Sequence, residues 1–289
     1  MTKPINVFIL TYCRNPELFY GTALVFKTLR TGFPNARIRV VDNASLPEAR
    51  SEIARLARET ECALELLPAP GTTHHAFIER SLYELAATPE LGDTAVFLDP
   101  DVCLWRDCEH LEFDALLAGL LLEAHNDEVM QCVTMPRLHT SFLWVTHAGR
   151  LVEEIEKLRR AHFDFQPFLP FSVKLGDLWL RYDTGASLYA AIPDACAGFD
   201  ESHMDYYDHI YAGSHFDLWR GKHPGELRNF METAHQLART GDLKSLKGLW
   251  RRQAEVWHQS VRILKTPADV AGLSDTTAHQ TPLGRGHPP

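Results

Sequence analysis

Asp99-Pro100-Asp101 closes the apolar string Ala95-Val96-Phe97-Leu98 and is the tripeptide richest in chemistry in this sequence. In an extended chain, residues two apart point to the same side, so both carboxylates are expected to face one point. Pro100 steers Asp99 away from the helical region and favours that extended pair. Two aligned carboxylates suit Mg²⁺ or Mn²⁺, hard cations that take oxygen ligands and bridge to phosphates. The competing reading is a plain turn, in which Asp-Pro-Asp is common. Two more polar clusters follow apolar strings. Val7–Thr11 runs into Tyr12-Cys13-Arg14-Asn15, offering a hydroxyl, an aromatic face and a cation to a nucleotide. Ile38–Asp42 runs into Asn43-Ala44-Ser45, polar groups able to hydrogen-bond a base or ribose. Loop polarity alone is the competing reading for each.

Such groups act together only if a frame brings them to one edge. Strands are expected at Val7–Thr11, Ile38–Asp42, Leu64–Leu67 and Ala95–Asp99, and helices at Leu18–Leu29, Pro47–Thr60 and His74–Ala87. Strand alternating with helix means βαβ units. Strands this poor in polar residues fit a sheet covered on both faces. The fold class is therefore α/β, a Rossmann-like, mixed but mostly parallel sheet flanked by helices. Such sheets bind ligands at the carboxyl ends of their strands, where the three clusters fall. Beyond Asp101, strands are expected at Val129–Met135 and Ser141–Val145, a helix at Ala148–His162, a loop at Phe163–Phe171 and a short helix at Ala186–Ala191. Two amphipathic helices, Glu226–Arg239 and Leu243–Leu264, form a C-terminal helical extension, with Leu227, Phe230, Ala234 and Leu237 on one buried face. The organisation reads as residues 1–222, an extension over 223–270 packed on them, and a tail over 271–289 expected to be disordered.

The 289 residues carry 29 Lys+Arg against 38 Asp+Glu, a net charge of −9 that argues against a nucleic-acid partner. No run approaches the ~20 apolar residues that span a bilayer. The apolar stretch Ile5–Leu10 is too short for a secretory leader. Six scattered cysteines read as free thiols in a reducing compartment, so a soluble, cytoplasmic protein is expected.

The strand Asn6–Thr11, the segment Val40-Val41-Asp42-Asn43-Ala44-Ser45 and the DxD-type motif Leu98-Asp99-Pro100-Asp101 together resemble the nucleotide-diphospho-sugar glycosyltransferases of the A-type fold, close to the large family-2-like group. The resemblance covers roughly residues 5–220. It implies a metal-dependent transfer of sugar from a nucleotide-diphospho-sugar donor to a carbohydrate, lipid-linked or small-molecule acceptor, with 1–222 as the catalytic domain. It implies Thr11, Tyr12, Asp42 and Asn43 as nucleotide contacts beside Arg14, and Asp99 and Asp101 as contacts to diphosphate and to Mn²⁺ or Mg²⁺. Such enzymes often add a late histidine to the metal. His215 in Ala212-Gly213-Ser214-His215 fits that position, with His209 behind it.

An inverting enzyme also needs a carboxylate base near the acceptor hydroxyl. The Glu-Asp pair that often supplies it is missing here. Asp183 is the best candidate, against its competing reading as N-cap of the helix Ala186–Ala191; Asp205 and Asp208 are weaker ones. His74 and His75 open a helix, where N–H groups favour phosphate, but they read first as a solvated helix end; Arg80 is a weak diphosphate candidate. Phe163, Phe165, Phe168 and Phe171 offer faces for a sugar ring against the competing reading of loop packing, and His139-Thr140-Ser141 offers a polar acceptor wall that no spacing rule fixes. Lys244, Lys247, Arg251 and Arg252 beside Leu246, Leu249 and Trp250 would allow peripheral membrane contact or a simple packed helix. Two rivals share the key residues: a Mg²⁺-dependent phosphatase of haloacid-dehalogenase type acting through Asp99 and Asp101, and a sugar-nucleotide-binding protein without turnover.

Overall fold

Apolar strings alternating with amphipathic helices build the first half of the chain in the computed structural model, which describes residues 4–127, 132–176, 178–210, 226–247 and 262–263. In chain order these are β1 (Ile5–Thr11), α1 (Phe19–Gly32), β2 (Arg37–Asp42), α2 (Pro47–Glu59), β3 (Ala63–Leu66), α3 (His74–Ala86), β4 (Thr94–Leu98) and β5 (Val102–Leu104). There follow β6 (Leu117–Gly119), β7 (Leu121–Leu122), β8 (His125–Asp127), β9 (Cys132–Thr134), β10 (Arg137–Leu138), β11 (Phe142–Val145) and α4 (Ala148–Ala161). The remainder is β12 (Phe171–Leu175), β13 (Leu178–Tyr182), α5 (Ala186–Ala191), β14 (Cys196–Gly198), β15 (Tyr207–His209), α6 (Glu226–Thr240), α7 (Leu243–Leu246) and β16 (Arg262–Ile263).

The main sheet has seven strands in the order β14-β6-β11-β4-β1-β2-β3. β1, β2, β3 and β4 run parallel, β14 is parallel to β6, and β11 is antiparallel to both β4 and β6. Alternation sorts the strand residues to two covered faces. Val7, Ile9, Val40 and Val96 pack with Val25, Phe26 and Ile53 from α1 and α2. Phe8, Val41 and Phe97 pack on the other face with Phe77, Leu82, Leu151 and Ile155 from α3 and α4. The register does the work for function: Thr11 lies opposite Asp42 and Ile9 opposite Leu98, so the residues after β1, β2 and β4 leave the sheet along one edge.

Glycine sets one close approach. A Cβ on Gly32 would sit 2.6 Å from Leu104 Cδ1 and 2.7 Å from Leu104 Cβ, so α1 closes on β5 only because that position is bare. The described part of the C-terminal extension packs on the same helix. Ala234 and Ala238 of α6 and Leu246 of α7 bury with Leu24 and Cys103, and His235 meets Tyr20 edge-on at 4.9 Å.

The structure departs from the sequence expectations in the second half. Phe171, expected to close a loop, opens the hairpin β12–β13, and β12-β13-β9-β8-β16 form a second, five-stranded sheet. Only Cys132–Thr134 of the expected strand Val129–Met135 is strand, with 128–131 outside the described residues. Of the helix expected over Leu243–Leu264, Leu243–Leu246 is helical, and Arg262 and Ile263 instead pair with Asn126 and His125 of β8. Residues 248–261 and 264–289, with Arg251, Arg252 and the expected tail, lie outside the described residues. Leu246 faces the core rather than any surface. All six cysteines are free thiols. Among the described residues, no helix is long and apolar enough to cross a membrane.

Candidate functional site

The segment that leaves β4 is a turn, not the extended pair the sequence suggests: the Val102 N–H donates to the Asp99 carbonyl at 3.4 Å. The chain doubles back into β5, and β5 pairs antiparallel with β15, placing His209 opposite Val102. This pairing brings together residues 108 positions apart: His209 Nε2 lies 3.1 Å from Asp101 Oδ1 and 3.9 Å from Asp99 Oδ2. One ligand atom from each of Asp99, Asp101 and His209 falls within 4.8 Å of the others. Asp101 and His209 are buried and Asp99 is partly open. Burial pushes the Asp99 carboxyl above its ordinary range; His74 and His209 oppose the rise, while Asp101 and Asp183 add to it. Burial works against charge on His209, but Asp101 and Asp99 beside it win and raise its pKa. His215 lies outside the described residues; among those described, the histidine grouped with the two carboxylates is His209.

These three residues sit in the floor of a cleft of about 1240 Å³ along the carboxyl edge of the main sheet. On the β1 and β2 side, Tyr12 and Arg14 line it, the guanidinium 5.1 Å from the ring centroid. Thr11 and Asp42, expected as nucleotide contacts, are not among the residues that line it. Both are fully buried, and they bond each other: Thr11 Oγ1 donates to Asp42 Oδ1 at 3.1 Å. Asp42 also accepts from the Ser45 hydroxyl at 2.5 Å and the Ser45 N–H at 3.2 Å, with Arg50 Nε 3.2 Å away. Ser45 Oγ in turn accepts from the Cys13 N–H at 2.8 Å, so this network locks the two strand ends together. Asn43 lines the cleft, yet its side chain is occupied: it accepts from Gly71 and Thr72 N–H groups at 2.9 and 3.2 Å and donates to the Thr72 carbonyl at 2.7 Å. It holds the loop 70–73 as a wall. That loop leads to α3, capped by Thr73, and presents His74 with Nε2 3.6 Å from Asp99 Oδ1. Arg80 faces elsewhere, toward Glu65 and Glu84.

On the other side of β4, Arg137 (β10), His139, Arg181 (β13) and Asp183 line the cleft. Asp183 Oδ2 lies 2.8 Å from Arg137 and 3.7 Å from Arg181. Burial works to raise the Asp183 carboxyl, but the two arginines and the Thr184 N–H overcome it and hold it below the usual carboxylate value. The cap reading of Asp183 fails. The N-cap of α5 is Gly185, at φ +83°, with no side-chain cap bond, while Asp183 Oδ1 accepts only from the Thr184 N–H at 2.9 Å. His139 Nδ1 accepts from the Ser141 N–H at 3.2 Å and lies 2.6 Å from its hydroxyl, an arrangement that puts the ring proton on Nε2. Burial, then His209, Arg137 and His74, push its pKa well down, so it stays neutral. The remaining candidates fall outside the cleft: Asp208 is buried and accepts from Trp105 Nε1 at 2.7 Å, and Asp205 lies 3.5 Å from Arg106. Arg137 had no signal in the sequence, since its value comes only from its contact with Asp183, 46 residues further along the chain.

No model of a known protein family matches the chain, and no curated protein matches it in sequence. Similar solved structures are glycosyltransferases. GlyE of Streptococcus pneumoniae TIGR4 is 12% identical with a TM-score of 0.43, over 86% of this chain and 65% of GlyE. The mannosyltransferase PcManGT from Pyrobaculum calidifontis, in complex with GDP-Man and Mn²⁺, is 14% identical with a TM-score of 0.42, over 96% of this chain and 76% of that one. The galactosyltransferase LgtC, in complex with donor and acceptor sugar analogues, is 11% identical with a TM-score of 0.41, over 86% and 99%. The chain spans 39% of the bifunctional glycosyltransferase WbbM. Likeness at this level does not assign the chain to any of them.

Proposed function

We propose that this chain is a glycosyltransferase that moves a sugar from a nucleotide-diphospho-sugar to a hydroxyl of a carbohydrate, lipid-linked or small-molecule acceptor. The observation that carries this reading is the convergence of Asp99, Asp101 and His209 in the floor of a long cleft at the sheet's carboxyl edge. The donor set fits Mn²⁺ or Mg²⁺: two carboxylates and one imidazole, their ligand atoms within 4.8 Å. An octahedral ion with donors at about 2.1 Å spaces its ligands about 3 to 4.2 Å apart, so only a small contraction is needed. Burial first, with Asp101 and Asp183 beside it, raises the Asp99 pKa, and a divalent cation would relieve that cost of charge. When bound, such a cation neutralises charge growing on the departing diphosphate.

The rest of the cleft supplies the other roles. Tyr12 offers a face for the base and Arg14 a cation for the phosphates, while Asn43 keeps the loop 70–73 in place. The neutral His139 is a fixed hydrogen-bond donor. Asp183, ionised at neutral pH, is our candidate to accept the proton of the acceptor hydroxyl. Free thiols at all six cysteines support a reducing, cytoplasmic setting.

One observation favours a second reading, a sugar-nucleotide-binding protein without turnover: the two arginines that hold Asp183 ionised also weaken it as a base. Thermal shift with UDP, GDP, CMP and dTDP and their sugars, with and without Mn²⁺, tests the main claim. A ligand at ~100 times its dissociation constant stabilises by about 2.7 kcal/mol. We expect a shift that needs both one nucleotide and the metal and is lost in Asp101→Asn. A metal-independent shift, or one untouched in that variant, rejects the site. Asp183→Asn should then cut turnover far more than donor binding; equal transfer by both proteins would remove Asp183 as base.

A further inference from the structure

The two sides of the cleft differ in charge. On the β10 and β13 side, among the described residues, the guanidiniums of Arg137 and Arg181 share the carboxylate of Asp183. Arg137 is nearly buried and takes Asp183 at 2.8 Å. Arg181 stands differently. Its guanidinium comes no nearer to Asp183 than 3.7 Å, its side chain is 28% exposed, and among the described residues it makes no hydrogen bond. Its place is fixed all the same, because β13 is held by β12 on one side and by β9 on the other, where Arg181 pairs with Thr134. At 3.7 Å from a carboxylate that it shares with Arg137, the partly exposed Arg181 guanidinium keeps N–H groups open to the cleft. Carboxylates and phosphates are the groups that planar guanidiniums bind through paired N–H groups. The net charge of −9 sharpens the point, since the protein as a whole repels anions and only a local arrangement could hold one.

We propose that this side of the cleft recognises a carboxylate or phosphate carried by a sugar, through Arg181 with Arg137 behind it, the assignment to a sugar substrate resting on the glycosyltransferase reading above. The anionic group belongs either to the sugar being transferred or to the acceptor, and the two sources can be told apart.

Calorimetric titration of the full chain with glucuronate, glucose 6-phosphate and glucose tests the charge preference without any nucleotide. The anionic sugars should bind about tenfold tighter than glucose, the effect of one charge-assisted contact. Arg181→Gln should remove most of that difference and Arg181→Lys, which keeps the charge, should preserve most of it. Equal binding of the three sugars, including none by any, overturns the proposal, as does a preference that survives Arg181→Gln. Two further arms locate the anion. A preference for UDP-glucuronate over UDP-glucose that depends on Arg181 assigns it to the donor. An Arg181-dependent preference for glucose 6-phosphate over glucose, measured with Mn²⁺ and UDP present, assigns it to the acceptor. Loss of every Mn²⁺-dependent nucleotide shift would sink the transferase reading, while the sugar titrations still decide the charge preference.

Discussion

Asp42 is the residue at which the sequence resemblance and the structure assign different work, so Asp42→Ala separates them. In the structure its carboxylate is wholly buried, receives the Thr11 hydroxyl at 3.1 Å, the Ser45 hydroxyl at 2.5 Å and the Ser45 N–H at 3.2 Å, and lies 3.2 Å from Arg50 Nε. A hydrogen bond to a charged group contributes about 1.5–3 kcal/mol, so these contacts sum to several kcal/mol if taken one by one. They are not independent, and Arg50 keeps a second acceptor in the Leu67 carbonyl, which moderates the penalty of leaving its charge behind. Breaking a buried ion pair from one side costs about 3–5 kcal/mol, and we expect a loss of that size. In thermal unfolding it corresponds to a fall of about 6–20 °C, at about 2–4 °C per kcal/mol. Urea unfolding of Asp42→Ala, of Thr11→Val and of the double variant checks the origin, since Thr11 and Asp42 should couple rather than add. A loss below about 1 kcal/mol, together with a vanished nucleotide shift, would refute this reasoning and return Asp42 to the ligand.

Gly32→Ala should cost about 1–3 kcal/mol by driving α1 off Leu104, and an unchanged denaturation midpoint would show that the contact relaxes freely. His209→Ala should weaken Mn²⁺-dependent nucleotide binding at least tenfold, the lower end for groups supporting a metal, and a metal titration that matches the unaltered protein would remove it from the site. Asp183, held below the ordinary carboxylate pKa of about 3.9, supplies stability above that pH and loses it as the pH falls through the lowered folded value. Asp183→Asn should therefore cost stability at pH 7 and progressively less below about pH 4; a constant difference across that range would contradict the assignment. Burial first, and then the hydrogen bond to Glu156, push Tyr83 up to about 12. Its contribution to stability is thus present below the ordinary value of about 10 and lost as the pH rises through 12, and Tyr83→Phe should delete one tyrosinate transition near pH 12 seen by absorbance.

The sheet edge was legible because its code is local. Strings such as Val7–Thr11 and Ala95–Leu98 are apolar on both faces, and only a covered parallel strand uses such residues throughout. The helices between them carry their apolar residues at helical spacing, and Tyr12, Asn43 and Asp99 follow directly from where each strand ends. The hairpin β12–β13 was not legible. Phe171, Val173 and Leu175 alternate as a strand should, but all three are exposed, and the aromatic, proline-rich run before them reads as loop. The helix expected to continue past Leu246 failed for a related reason: periodicity cannot report that Arg262 and Ile263 find a strand partner in β8.

The amino-acid sequence by itself determined the α/β frame, the edge along which its strands end and the acid pair Asp99 and Asp101, because periodicity and strand-end position are properties of neighbouring residues. Tertiary structure alone decided which polar groups face the cleft. Thr11 and Asp42 turn inward because β1 and β2 place them opposite one another with Ser45 and Arg50 beside them. His209 reaches Asp101 because β15 pairs with β5, and Arg137 meets Asp183, 46 positions further on, at 2.8 Å. Contacts across such distances along the chain carry no local spacing; the burial and pairing of whole strands set them.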